Sequence, residues 1–192
     1  MNENIAVREI TSEDIPLINS YWQNATPEFL LGMGADPALL PDSDAFSKML
    51  HHQLTLSNAE KQSYCTIWLM NDKPVGHCNV NKIIFGQEAY MHLHLWESDN
   101  RQSGLGAAFV KLSLPYFFDK LQLKILFCEP YALNPAPNKT LERIGFDFVK
   151  EYITIPGSFS FEQPTMRWEM KWRSFNKHCK TFFNPNFSPN NK

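Results

Sequence analysis

The residues best suited to chemistry lie in the run Glu97-Ser98-Asp99-Asn100-Arg101-Gln102-Ser103-Gly104-Leu105-Gly106-Ala107-Ala108, between a strand-like and a helix-like segment. Glycines at 104 and 106 let the backbone approach a ligand closely. The amides that open the next helix point outward with the positive end of its dipole, so a diphosphate fits there. Arg101 adds a charge-assisted contact. No Lys-Ser/Thr follows, so this is not a Walker loop, and the first glycine of the dinucleotide fingerprint is missing. Close by in sequence, His92 and His94 alternate with aliphatic residues and share one strand face. Glu129 ends a later strand. Imidazoles and a carboxylate are the groups that move protons near neutral pH.

These groups need a scaffold. Residues Ala6 to Ile10 read as a first strand, and Thr11 or Ser12 offers a cap for a helix from about Asp14 to Trp22. Between Gln23 and Asp42, glycines, prolines and apolar residues suit a substrate-side loop or broken helix. Ser43 is the expected cap of a second helix carrying Phe46, Met49, Leu50 and Leu54 at helical spacing, with His51 and His52 at its surface. Tyr64 to Leu69 and Val75 to Ile84 form a hairpin across the turn at Asn71 to Pro74. Tyr90 to Trp96 is the next strand. A long apolar helix follows Gly104 to about Asp119, with Pro115 as a kink, and then a strand over Lys124 to Cys128. Asn134 introduces a short helix with Pro137 in its first turn and Gly145 past its end. Phe146 to Ile155 and Thr165 to Trp172 close the domain as two strands.

A chain of 192 residues with 43% hydrophobic content buries one sizeable core, so a single domain over residues 1–173 is expected. Residues 174–192, without an acidic side chain and rich in Asn and Pro, read as a partly disordered tail. Eighteen basic against twenty acidic residues leave a net charge of -2, which gives no global field toward nucleic acid or an anionic membrane. The start, Met1 to Asn4, lacks signal-peptide character, and no apolar run nears the roughly 18 residues of a membrane span. A cytoplasmic protein is therefore expected. The cysteines at 65, 78, 128 and 179 have no metal-site or disulfide spacing and read as reduced thiols, Cys78 and Cys128 as inert buried ones. Trp168, Trp172, Phe159 and Phe161 read as packing and not as a base-stacking platform.

Arg101-Gln102-Ser103-Gly104-Leu105-Gly106 matches the Q/R-x-x-G-x-G/A signature of the GCN5-related N-acetyltransferase (GNAT) superfamily. Downstream, Asn134 and Leu141-Glu142-Arg143-Ile144-Gly145-Phe146 resemble that family's N-x-x-(S/A)...L-E-(K/R)-x-G-F block. The element order β-α-α-β-β-β-α-β-α-β-β over residues 5–172 agrees, and the block pattern is most similar to the branch of ribosomal-protein N-terminal acetyltransferases. The resemblance implies an α+β fold in α/β/α layers. Its mixed, mostly antiparallel sheet of about seven strands is splayed between strands 4 and 5 and flanked by about four helices. It implies acetyl-CoA as cosubstrate, with backbone groups of His94, Leu95 and Trp96 pairing with the pantetheine arm. The diphosphate would lie on Arg101, Gln102, Ser103, Gly104, Leu105, Gly106 and Ala107, and Asn134 and Asn138, with Lys139 near them, would contact the cofactor. Pro130 would help splay the strands. No metal is expected.

The implied reaction is direct attack of a primary amine on the thioester. An amine of pKa about 10.4 must first lose its proton, at a cost on the order of 4 to 5 kcal/mol near neutral pH, which makes a general base useful. Glu129, His92 and His94 are the candidates. The family's tyrosine acid falls on Leu141, which leaves the acid open to Tyr131 or water. The acceptor is a small-molecule amine or a protein N-terminus or lysine, and Glu28, Asp36, Asp42 and Asp44 would favour a cationic one. The chain is expected as a monomer or homodimer. Two rivals stand beside this reading. One is a degenerate relative that binds CoA without turnover. The other is a cupin-like metal enzyme, because Gly86, His92-x-His94, Glu97 and Gly104 approximate a cupin metal motif, with two residues instead of three or four before the glutamate and with His77 or a carboxylate needed to complete the ligand set.

Overall fold

The computed structural model describes residues 4–97 and 104–178. Seven strands form one sheet in the order β1-β2-β3-β4-β5-β7-β6: β1 (Ile5–Glu9), β2 (Ser63–Met70), β3 (Lys73–Ile84), β4 (Glu88–Leu95), β5 (Ile125–Cys128), β6 (Asp147–Thr154) and β7 (Gln163–Lys171). All neighbours are antiparallel except β4 and β5. The β2–β3 hairpin closes through Asn71 and Asp72, both at positive φ (50° and 63°), a turn geometry that Asn and Asp tolerate and that matches the twist of the strands.

Six helices are described, two more than expected: α1 (Ile15–Gln23), α2 (Pro27–Met33), α3 (Ser43–Thr55), α4 (Leu105–Pro115), α5 (Pro135–Ile144) and α6 (Trp172–His178). The interrupted stretch between Gln23 and Asp42 folds as α2 plus a short 3-10 turn, Pro37–Leu39. Asp42, and not Ser43, caps α3, its carboxylate accepting from the Ala45 N–H at 2.8 Å. Pro115 ends α4 without a break. A residue with no N–H cannot keep the α-helical ladder, and the chain continues as a π-helical turn over Tyr116–Lys120. Phe175 of α6 is fully buried and stacks on Phe118 at 4.8 Å.

Alternation along the strands divides the core in two. Trp68, Val80, Met91, Leu126 and Met170 face α4 and α5, packing on Phe109, Leu114, Phe117 and Leu141. Within that layer the Ser113 hydroxyl, fully buried, accepts from the Trp68 indole at 3.0 Å and donates to the Phe109 carbonyl. Cys65 and Ile67 face the opposite way, under Ile15 and Ile18 of α1 and Phe46 and Leu50 of α3. Arg8 clamps Asp14 bidentately at 2.6 and 2.7 Å and so fixes the start of α1 against β1. Among the described residues no helix is long and apolar enough to cross a membrane. An open sheet with helices on both faces is not a cupin barrel.

Candidate active site

The parallel pairing of β4 with β5 ends at Met91 and Cys128, and beyond that point the strands part. Pro130 has no N–H to offer β4. The chain after β5 stays with β7 instead, through the Met166 N–H to the Pro130 carbonyl, the Ala132 N–H to the Pro164 carbonyl and a bridge between Tyr131 and Thr165. On β4, the alternation of the antiparallel ladder turns the amides of His92 and His94 toward β3 and those of Leu93 and Leu95 toward the gap. The Trp96 N–H donates to the Val75 carbonyl at 2.9 Å, which removes it from the residues that could pair with a ligand in the gap. The opening is a cleft of about 590 Å³ that pierces the sheet. Trp68, Met91, Leu95 and Ala107 line it on the α4 side, and Tyr21, Phe29, Met33 and His94 on the α1–α2 side.

The α4 N-terminus opens onto this cleft. Gly104 is the N-cap at φ 77°, ψ 0°, a left-handed conformation, and a Cβ there would lie 3.0 Å from Nη1 of Arg143. Gly106 and Ala107 line the cleft, while Leu105 does not. A Cβ on Gly106 would meet no atom of the described residues within 4 Å. Nothing among the described residues therefore requires glycine at that position, and such space is what an anion cradle needs. Arg143 and Lys139, four residues apart on α5, also line the cleft and bring positive charge to the same end. Arg143 is the residue of this end that local spacing did not single out. Arg101, Gln102 and Ser103 lie outside the described residues.

Two expected cofactor contacts have other employment. Asn134 lines the cleft, but its carboxamide oxygen caps α5 by accepting from the Ala136 N–H. Asn138 is buried, and its amide is spent inside the protein: it donates to the Tyr131 and Asn134 carbonyls and accepts from the Trp168 indole at 2.8 Å. Its side chain knits the β5–α5 loop to β7 and does not reach the cleft.

Of the three expected bases, Glu129 is already committed. Its carboxylate accepts from Nε of Arg167 at 2.5 Å and from the Tyr152 hydroxyl. Arg167 in turn lies 5.0 Å from the Phe127 ring centroid and donates to the Tyr90 hydroxyl at 3.1 Å. Burial and the Glu129 carboxylate push the Tyr152 phenol up to about 12. These two contacts hold the Glu129 carboxylate in the cleft wall against β6 and β7. His92 lines the cleft, with Nε2 3.1 Å from the Asn81 carboxamide oxygen. That oxygen can only accept, so Nε2 carries the proton and Nδ1 keeps a lone pair. Burial, reinforced by the Lys82 charge, lowers His92 to about 4. His94 stacks on His77 with centroids 4.6 Å apart, and burial lowers it well below the usual imidazole value. Both histidines are neutral at pH 7. Among the described residues no three His, Cys, Asp or Glu side chains converge as a metal site.

The four acidic residues expected at the mouth separate in the structure. Asp36 caps the 3-10 turn through the Ala38 N–H and Asp42 caps α3, whereas Glu28 lines the cleft. Leu141, at the family's tyrosine position, is fully buried in the core, while Tyr131 lines the cleft.

A parallel strand pair thus parts beside a glycine-capped helix N-terminus. Residues 4–147 match the acetyltransferase (GNAT) domain family, and the chain belongs to that family. No curated protein sequence matches it at a significant level. Among solved structures it is similar to spermidine N-acetyltransferase from Vibrio cholerae in complex with CoA and spermine, at 12% identity and a TM-score of 0.72 over 90% of this chain and 98% of that one. It is also similar to an aminoglycoside acetyltransferase in complex with coenzyme A, at 14% identity and 0.69 over 91% and 98%. A third is the ribosomal α-N-protein acetyltransferase RimL in complex with coenzyme A, at 11% and 0.71 over 88% and 95%. At such identities the likeness establishes the fold: a seven-stranded mixed sheet with one parallel pair.

Proposed function

We propose that the chain is an N-acetyltransferase that moves an acetyl group from acetyl-CoA to a primary amine by direct attack. One observation carries this reading: the gap beyond Met91 and Cys128 joins the α4 face of the sheet, where Gly104, Gly106, Lys139 and Arg143 gather, to the α1–α2 face, where Tyr21, Phe29 and Met33 gather. The two faces offer opposite chemistries suited to two ligands, an anion on one and an amine on the other. The residues fit CoA, since Gly104 caps α4 beside the cleft and no atom of the described residues lies within 4 Å of a Cβ placed on Gly106.

Bound acetyl-CoA supplies the electrophilic carbonyl and the thiolate leaving group. The α4 amides, with Arg143 and Lys139, hold the diphosphate. The Leu93 backbone groups turned to the gap align the arm. The apolar walls strip water from the incoming ammonium, which lowers its pKa, and His92, a cleft-lining imidazole whose Nδ1 keeps a lone pair, is assigned to take the released proton. Of the hydroxyls that line the cleft, that of Tyr131, two residues after Glu129 at the end of β5, is assigned to return a proton to sulfur. The acceptor is a small amine, and the protein acts in the cytoplasm. Incubation of the purified chain with acetyl-CoA and a panel of primary amines, monitored by thiol release, tests the reading. Amine-dependent release that falls at least about tenfold in Tyr131→Phe supports it. Tight CoA binding without turnover on any amine would favour the degenerate, non-catalytic relative.

A further inference from the structure

Glu129 lines the cleft with only 4% of its side chain accessible, and both contacts that hold it fall on one oxygen. Oε1 accepts from Nε of Arg167 and from the Tyr152 hydroxyl, which fills both of its lone pairs. Oε2 accepts no hydrogen bond among the described residues, and it is not sealed from solvent as the unpartnered oxygens of Asn19 and Gln163 are. The residue sits one position past Cys128, where β4 and β5 part, so a donor in the cleft meets this oxygen at the gap.

A guanidinium usually grips a carboxylate with two parallel N–H groups, one on each oxygen. Here the second prong goes elsewhere. Nη2 of Arg167 donates to the Tyr90 hydroxyl at 3.1 Å while Nε holds Oε1. Three rings keep the guanidinium in that pose, its carbon lying 5.0 Å from the centroid of Phe127, 5.4 Å from Tyr152 and 5.6 Å from Tyr90. The rings come from β5, β6 and β4 and the arginine from β7, so four strands fix the direction of one carboxylate. Arg167, Tyr90 and Tyr152 do not line the cleft, and they act on a ligand there only through Glu129.

We propose that Arg167 and Tyr90 are positioning residues for acetyl transfer: by dividing the fork they leave Oε2 of Glu129 to the cleft, where it takes an N–H of the acceptor amine and holds it at the thioester carbonyl. This rests on the acetyl-transfer reading above. Arg167→Met leaves a buried carboxylate without its cation and endangers the fold, so the informative variant is Tyr90→Phe. It keeps the ring beside the guanidinium and removes only the oxygen that holds Nη2, and the freed prong then closes on Oε2. The test uses the purified full chain with acetyl-CoA as donor and spermidine, kanamycin and 2-phenylethylamine as acceptors, with CoA affinity and Tm measured alongside. Tyr90→Phe is expected to raise the KM of each amine that the wild type acetylates about tenfold, the worth of one charge-assisted hydrogen bond, with kcat within about threefold. CoA Kd and Tm should not change, and a crystal structure of the variant should show Arg167 on both carboxylate oxygens. An unchanged KM overturns the proposal, as does a variant structure in which Nη2 stays away from Oε2. A rise in KM matched by losses of Tm and CoA affinity also overturns it, since a loosened sheet would do the same. Failure of the wild type to bind CoA or to acetylate any amine removes the acetyl-transfer reading and this proposal together, whereas an active wild type with an indifferent Tyr90→Phe removes this proposal alone.

Discussion

Replacing Gly106 with Glu separates stability from cofactor binding. The position lies in the first turn of α4, lines the cleft, and offers an added Cβ no neighbour within 4 Å among the described residues. Glutamate is a better helix former than glycine, and a negative charge near a helix N-terminus is favourable, so folding should gain about 0.5–1 kcal/mol. For a protein of this size that raises Tm by about 1–4 °C. Binding moves the other way. A carboxylate about 4 Å from a phosphate charge is repelled by about 4 kcal/mol at an effective dielectric of 20, and half-exposure with salt screening reduces this to about 2–4 kcal/mol. Calorimetric titration should then show CoA affinity down about 30- to 1000-fold. Gly106→Ala should share the stability gain with a much smaller loss of affinity. If Gly106→Glu binds CoA within about threefold of wild type, the diphosphate does not lie at this helix terminus and the reasoning fails.

Three further outcomes follow from other parts of the molecule. His77, His92 and His94 are held down by burial, the first two to about 3 and about 4, against about 6.5 in an unfolded chain. Because the unfolded chain takes up protons first, their contribution is complete above about pH 6.5 and is lost as pH falls toward about 4, by up to about 4 kcal/mol per pH unit if all three act. A Tm that stays level between about pH 7 and 5 would contradict this. Glu129→Gln leaves Arg167 without its carboxylate in a half-buried site and should cost about 2 kcal/mol, a Tm fall of about 4–8 °C, while the pH profile of kcat/KM keeps its wild-type shape. A vanished acidic limb, the fall in activity at low pH, would instead make Glu129 the base. Ser113→Ala orphans the buried Trp68 indole N–H and should cost about 2–3 kcal/mol in chemical denaturation, a loss under about 0.5 kcal/mol showing the network to be slack.

The elements were legible where the signal is local. Alternation in Tyr90 to Trp96, the Asn71-Asp72 turn and the Asn134-to-Gly145 helix all follow from neighbouring residues, and the structure has each of them. The glycine turn before α4 was legible for the same reason. What the sequence hid depends on contacts between distant segments. Glu129 reads as a base until Arg167, thirty-eight positions later, is seen to hold it. Asn138 reads as a ligand until Trp168 occupies its oxygen. Tyr90 has no local signature, since its meaning comes from Arg167, 77 positions away. Asp36 and Asp42 read as mouth charges because a cap and a substrate contact call for the same residue type.

The account depends on a thioester cofactor lying through the gap between β4 and β5 with its diphosphate at the start of α4. A crystal structure of the chain with CoA tests that placement directly. The diphosphate is expected over the amides of Gly104 to Gly106, with Arg143 beside it and the pantetheine amides against Leu93. CoA bound elsewhere, or a gap filled by the protein's own side chains in that complex, would contradict it.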